Sequence, residues 1–422
     1  MMQAERVALT FALCLVTWFS PAAGQTPLSL PALIDEVMAN NLDLAAMQHH
    51  VKAAQTLVSQ AGALADPTLK IDFRNVPTSD FDFDSTPMSG REISITQQFP
   101  YWGKRGARER RARHAAAAAA ISHADHQSAV VNVVKQAYFA LVFMDRSIEI
   151  TQKNEALLGD FIRISQTKYS VGTGLQQDIL KAQVSLSSLK NRLIVLRHRR
   201  LRIEAEVNGL RNRNPRAPVG ATPAVTQTPY TYDTESLQRA ALETRPMLAA
   251  LEEQIGSWRA AEDLARKASR PDFDVSLAYR QRDFTGDPVE GSDFLSVGVK
   301  LNLPIYRGRI EDQLAETRAH LRAVEVEFES MRQQVATQVQ QLCVDVSMHA
   351  EQVDLFKTAI IPQANQSLSS AISGYQVDKV DFLTLLNNQV TLFNFEIDYH
   401  RHLTDYERKL AQLEAVIGKR LF

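Results

Sequence analysis

The chain has 422 residues, with 47 Lys and Arg against 48 Asp and Glu and a formal net charge of −1. This balance leaves no global field to draw the protein to nucleic acid. With two cysteines in all, neither a disulfide framework nor a cysteine-rich metal site is expected.

The N-terminus places Arg6 before an apolar run, residues 7–19, followed by Pro21 and the small residues Ala22, Ala23 and Gly24. That layout predicts a secretory signal over 1–24, cleaved near Gly24 or Gln25. A run of about 13 apolar residues is short of the ~20 a transmembrane helix needs. No cysteine follows the small residues, so no lipid-anchored N-terminus is indicated. Cys14 leaves with the signal, and Cys343 remains.

A first unit, 25–212, opens with helical patterning over 31–64. Leu69, Ile71 and Phe73 then alternate with Lys70, Asp72 and Arg74, and Ile93, Ile95 and Phe99 mark a second alternating stretch. Period two predicts strands with one apolar and one wet face. The most basic stretch, QFPYWGKRGARERRARH at 98–114, reads as a strand end followed by a solvated helix face. A nucleic-acid grip is disfavoured, because the cluster is local in a neutral chain. A proline-free run, 103–168, follows as one very long helix of about 100 Å. Its apolar seam (Val130, Val134, Ala137, Leu141, Met144, Ile148) alternates steps of four and three, the spacing of helices packed side by side. The run ends at a tyrosine turn and returns as a shorter helix over 175–212.

Residues 213–232 carry Pro215, Pro218, Pro223 and Pro229 and read as an extended connector. The second unit, 233–422, repeats the first. Helical patterning over 234–269 leads to strand phases at Phe273, Val275, Leu277 and Tyr279, then Leu295, Val297, Val299 and Leu301. A proline-free run over 308–361 carries the seam Val335, Val339, Leu342, Val346, His349 and Val353, and a returning helix over 382–418 follows a second tyrosine turn. Asp66 and Phe99 match Arg270 and Leu303 at a constant shift of 204, and YSVGTGLQQDILKAQVSL at 169–186 matches YQVDKVDFLTLLNNQVTL at 375–392 at 206. The chain is one unit built twice. In each unit the opening and returning helices together match the long one in length, so they could stack beside it.

Four amphipathic strands cannot close a membrane barrel, the smallest of which use about eight, and an open sheet in lipid leaves unpaired edges. The strands therefore must pair with other copies. Tyr101, Trp102 and Tyr306 fall just past strand ends, where an aromatic girdle belongs, and Lys104 and Arg105 are suited to headgroup phosphates. A soluble sandwich would leave the export signal and the long helices without a reason.

The two Y-x-V turns with their returning helices, the duplicated strand pairs and the QFPYWGKR junction resemble the TolC family of outer-membrane efflux channels across the whole mature chain. The GKR wording at 103–105 is similar to the heavy-metal branch. The resemblance implies an α+β membrane protein: a homotrimer whose twelve-stranded β-barrel, four strands per chain, continues into a long α-helical coiled-coil barrel. It implies outer-membrane lipid, a periplasmic adaptor and an inner-membrane pump, the RND type favoured, as partners, with no cofactor, no metal site and no catalysis. Adaptor contact is expected at the turns, around Thr173, Gly174 and Val377. The family's closed entrance maps its acid onto Asp178 and its tyrosine onto Tyr375. Its arginine position holds Val380, with Lys379 beside it. Its inner acidic ring falls on uncharged Thr384 and Asn387, leaving Asp378 and Asp381 to take that role. A periplasmic adaptor is the alternative reading, although one hairpin with small β-domains would suit it better than paired strands. An enzyme lacks support, since no Gly-rich phosphate loop, HExxH or CxxC is present. His123 with His126 and His400 with His402 form close pairs without a third ligand in sequence, and His349 takes a seam position.

Overall fold

The computed structural model describes residues 27–286, 288, 289 and 291–421; the expected signal segment, 1–24, lies outside them. Helices α1 (Leu30–Asn40) and α2 (Leu42–Gly62) are separated by Asn41, whose side chain accepts the Leu44 N–H at 3.1 Å and so caps α2. The second unit has α5 (Thr234–Thr244) and α6 (Pro246–Arg266) around Arg245. There Pro246 sits at the first helical turn, where a missing N–H costs nothing.

Strands β1 (Thr68–Arg74), β2 (Gly90–Phe99), β3 (Phe273–Gln281) and β4 (Phe294–Leu301) form one antiparallel sheet in that order. The register sets Leu69 against Ile95, Ile95 against Leu277 and Leu277 against Val297. The expected apolar phases of all four strands thus fall on a single face. That face is bare, with Leu69 64% and Val297 73% exposed. The opposite face carries charge in mutual contact. Glu92 accepts two bonds from Arg280, at 3.0 and 2.8 Å, and pairs with Arg74 at 2.7 Å. β1 and β4 are open edges.

Helix α3 (Lys104–Ser170, 67 residues) spans about 100 Å at ~1.5 Å per residue, and α4 (Gln176–Leu210) returns along it. Gly103 starts α3 with φ +83°, and a Cβ there would press on Lys267 at 3.0 Å. In the second unit α7 (Arg307–Leu355) does not stop at Pro362. A π-turn over Phe356–Ile360 passes the chain into α8 (Ile361–Gln376). Widening the turn spares the carbonyl that the pyrrolidine ring would otherwise strike, and the run continues to the tyrosine turn. Helix α9 (Phe382–Ile417) then returns. α2 and α4 pack along α3, and α6 and α9 along α7; α3 also lies against α6 and α9, so the two units share one helical layer. The expected seams are buried, from Val134 and Leu141 to Val339, Val346 and His349, while Ile148 is only half-buried and Ile150 takes its place inside.

The connector, 213–232, has no helix or strand but is tied by two threonines from its middle onward. Thr222 donates its N–H and hydroxyl to Asp145 on α3, at 2.9 and 2.8 Å. Thr228 does the same to Glu407 on α9, at 2.7 and 2.9 Å, and its carbonyl accepts the Tyr406 hydroxyl at 2.6 Å.

Candidate functional site at the helix tips and strand junctions

At the junctions, Trp102 and Tyr306 are among the most exposed side chains, and Arg105 is exposed. Trp102 lies 5.5 Å from Phe273, which stacks on Phe99 at 5.5 Å, and Tyr101 meets Trp102 edge-on at 5.6 Å. This is an aromatic belt at the strand ends, on the apolar side. Lys104 departs from the sequence expectation. Its ammonium is buried, bonding Asp272 Oδ1 and the Arg270 carbonyl at 2.8 Å each, while Asp272 also accepts the Tyr101 N–H at 2.7 Å. It clasps the first unit's junction to the start of β3 and is not offered to headgroups; Arg105 alone of the two cations faces out. The sequence placed Lys104 beside an aromatic pair but gave no sign of a partner so far along the chain.

At the tips the two turns share one closing backbone bond and a left-handed residue at the matching position. Lys168 carbonyl oxygen accepts the Thr173 and Gly174 N–H groups at 2.9 and 3.0 Å, and the Gly374 carbonyl accepts the Lys379 N–H at 2.9 Å. The left-handed residue is Gly172 (φ +79°) in the first turn and Asp378 (φ +58°) in the second, and aspartate is one of the few residues that tolerate that conformation. Val380, at the expected arginine position, packs on Gly374, where any Cβ would lie 2.5 Å from Val380 Cγ2. Val377, Lys379 and Thr173 project into solvent and Gly174 is half-buried.

Tyr375 is buried against Phe382, rings 5.7 Å apart, within a cluster that draws Leu158 and Phe161 from α3, Leu368 from α8 and Leu385 from α9. Its hydroxyl meets Ser165 Oγ at 3.3 Å, not Asp178. The Lys168 ammonium lies over the Tyr375 ring at 4.7 Å and pairs with Asp378. Sequence reading did not single out Lys168 or Ser165. The available signal was that Lys168 directly precedes the first turn's tyrosine. Asp381 caps α9 by accepting the Thr384 N–H and hydroxyl at 2.8 and 3.0 Å, which holds its carboxyl below the ordinary value. Asp178 stands in the first turn of α4. Burial pushes its carboxyl above the ordinary aspartate value and repulsion from Asp381 adds to that, against Lys181 and the Leu175 backbone. The fold therefore brings Asp178 near Asp381, and Tyr375 to Lys168, Asp378 and Ser165. Thr384 is committed to its own cap.

Among the described residues no group of three His, Cys, Asp or Glu side chains is set for a metal, and no helix is long and apolar enough to cross a membrane.

The model of the family described as outer membrane efflux protein matches residues 33–212 and 237–419, the two repeats without the connector. The chain is 21% identical over 413 residues to the cobalt-zinc-cadmium resistance protein CzcC of Cupriavidus metallidurans, covering 94% of this chain and 92% of that one. The outer membrane protein VceC of Vibrio cholerae superposes with a TM-score of 0.79 at 18% identity, over 92% of this chain and 96% of the other. The MtrE outer membrane channel of Neisseria gonorrhoeae, in its open state, gives 0.76 at 16% identity over 99% and 97%. The family match spans both helix-and-strand repeats, and the adaptor alternative falls with it.

Proposed function

The chain belongs to the outer membrane efflux protein family, and from that premise we propose that it assembles as a homotrimer in the outer membrane and passively conducts solutes, metal cations included, from periplasm to exterior. The observation that carries the assembly is the open sheet. One face is apolar and bare, both edges are unpaired, and the four strands are too few to close alone. Three copies supply twelve strands. The helices give the same message: α4 exposes Leu180, Val184, Ile194 and Leu201 along one side, at spacings suited to a neighbouring helix.

The long helices end at the two tyrosine turns, far from the sheet. There the exposed Thr173, Val377 and Lys379 meet a periplasmic adaptor, which links the channel to an inner-membrane pump of the RND type. The contacts of Lys168, Asp378, Tyr375 and Ser165 act as a latch between α3 and the second turn, and Asp178 and Asp381 supply negative charge beside it. The metal cargo is supported by the likeness to CzcC and by the GKR wording at 103–105.

Cysteine pairs decide the orientation. Thr173→Cys and Lys379→Cys, crosslinked in intact cells, are expected to capture an adaptor, and Ser85→Cys, in the loop between β1 and β2, is not. Capture at Ser85 alone would invert the assignment. For the cargo, a deletion strain is expected to lose resistance to cobalt, zinc or cadmium and regain it on complementation; unchanged resistance to all three would remove metals from the reading while leaving the channel in place.

A further inference from the structure

Halfway along the α7–α9 interface two histidines face each other. His349 holds its seam position, 8% exposed, and His402 comes from α9; their Nδ1 atoms are 3.4 Å apart and their rings stand 5.6 Å apart, tilted by 38°. Phe356, the first residue of the π-turn, covers the His402 ring at 5.5 Å. At 3.4 Å the gap is long for a hydrogen bond between the two rings. Two nitrogens each ~2.0–2.1 Å from one tetrahedral ion stand about 3.3 Å apart, which fits it well.

Two further observations point to a ligand. Gln352 follows His349 by three residues on α7, a spacing that shares a helix face, and its Oε1 is buried with no hydrogen-bond partner. The first repeat shows that packing does not require imidazole at this height. By the same shifts that align the repeats, His349 matches Met144 and His402 matches Leu196, both buried and both apolar. The histidines are therefore an addition to a place that already packs without them.

We propose that His349 and His402 form a two-histidine site for a divalent transition cation of the zinc, nickel and cobalt class, stapling α9 to α7 directly before the π-turn. Imidazole nitrogen suits these ions. Since no third His, Cys, Asp or Glu joins them among the described residues, the Gln352 carbonyl and water complete the coordination.

The test uses untagged, full-length protein purified in detergent. Cobalt(II) titration, read by visible absorption and equilibrium dialysis, is expected to give one tight equivalent per chain. The double variant His349→Met with His402→Leu imports the first repeat's own solution; it is expected to keep the thermal midpoint of the metal-free protein and to bind cobalt at least tenfold more weakly. His123→Ala with His126→Ala is expected to change nothing. Diethyl pyrocarbonate footprinting of the unmodified chain provides a reading that needs no variant: zinc is expected to protect His349 and His402 and to leave His123 labelled. Cobalt uptake by the double variant equal to that of the parent, or absence of zinc protection at both histidines, overturns the proposal and leaves a pair that merely shares a proton.

Discussion

Lys168 does two things at the tip, pairing with Asp378 and capping the Tyr375 ring. Asp378 is exposed, so water screens the ion pair to at most about 1 kcal/mol, and the cation–π contact adds roughly 0.5–1 kcal/mol. Summed over the three copies of the proposed trimer, Lys168→Ala is expected to raise single-channel conductance or open probability in a planar bilayer several-fold, while Lys168→Arg stays near the parent. Tyr375→Phe removes only a long bond to Ser165 and is expected to act more weakly; equal effects would shift the latch from Lys168 to the phenol. Asp178 contributes a pH dependence whose sign follows from its raised pKa. A carboxyl raised in the folded state gives its full stabilisation below the unfolded value and loses it as pH rises through the folded one. The Asp178 contribution is thus complete in acid, below the ordinary 3.8, and is lost as pH rises above that value. Asp178→Asn is expected to flatten the conductance–pH curve there, and an unchanged curve would assign the titration elsewhere. The turns that carry Tyr375 and Asp178 were legible in the sequence through a motif; the bond expected between the two is absent. Their actual partners were not, because Ser165 and Lys168 lie on α3 and reach the second turn only once the helices pack.

The strands were the most legible elements, since period-two alternation in four short runs needs one register to place all apolar residues on one face, and that register is observed. Val297 stands on the bare face and Ser276 on the charged face, opposite Gly298. A lipid-facing arginine near the midplane costs about 2–4 kcal/mol per copy. Val297→Arg is expected to abolish heat-resistant oligomers in outer-membrane extracts, and Ser276→Arg, on the charged face beside Gly298, is expected to retain them. Equal loss in both would reverse the faces. The long helices were legible from their seams and from the lack of proline. The π-turn was not, because a proline in a sequence reads as a stop, whereas in the folded chain the tertiary packing of α7 and α8 on α9 outweighs the local cost of one widened turn. The clasp of Lys104 on Asp272 was hidden for a related reason: a basic residue beside a cluster of aromatics looks free until a carboxylate from the other repeat is folded against it.

The duplication was the feature of the whole molecule that the sequence displayed best, because a constant shift survives even where residue identity does not. The fold shows what repetition alone did not, that the two units interleave in one layer, with α3 lying against helices of both. From its middle onward the connector between them is held by a backbone bond from Leu28 N–H to the Ala221 carbonyl and by side chains, Thr222 on Asp145 and Thr228 on Glu407. Its first part, around Arg213 and Arg216, is solvent-exposed. Covalent continuity there is consequently dispensable. A chain nicked by trypsin after Arg213 or Arg216 is expected to migrate intact in native gels and to fall into two halves only on denaturation. Two genes, one ending and the other beginning within 213–217 and each supplied with an export signal, are expected to reconstitute the channel from separate polypeptides. Failure of the halves to meet would show that the peptide bond, not the threonine clips, holds the repeats in register.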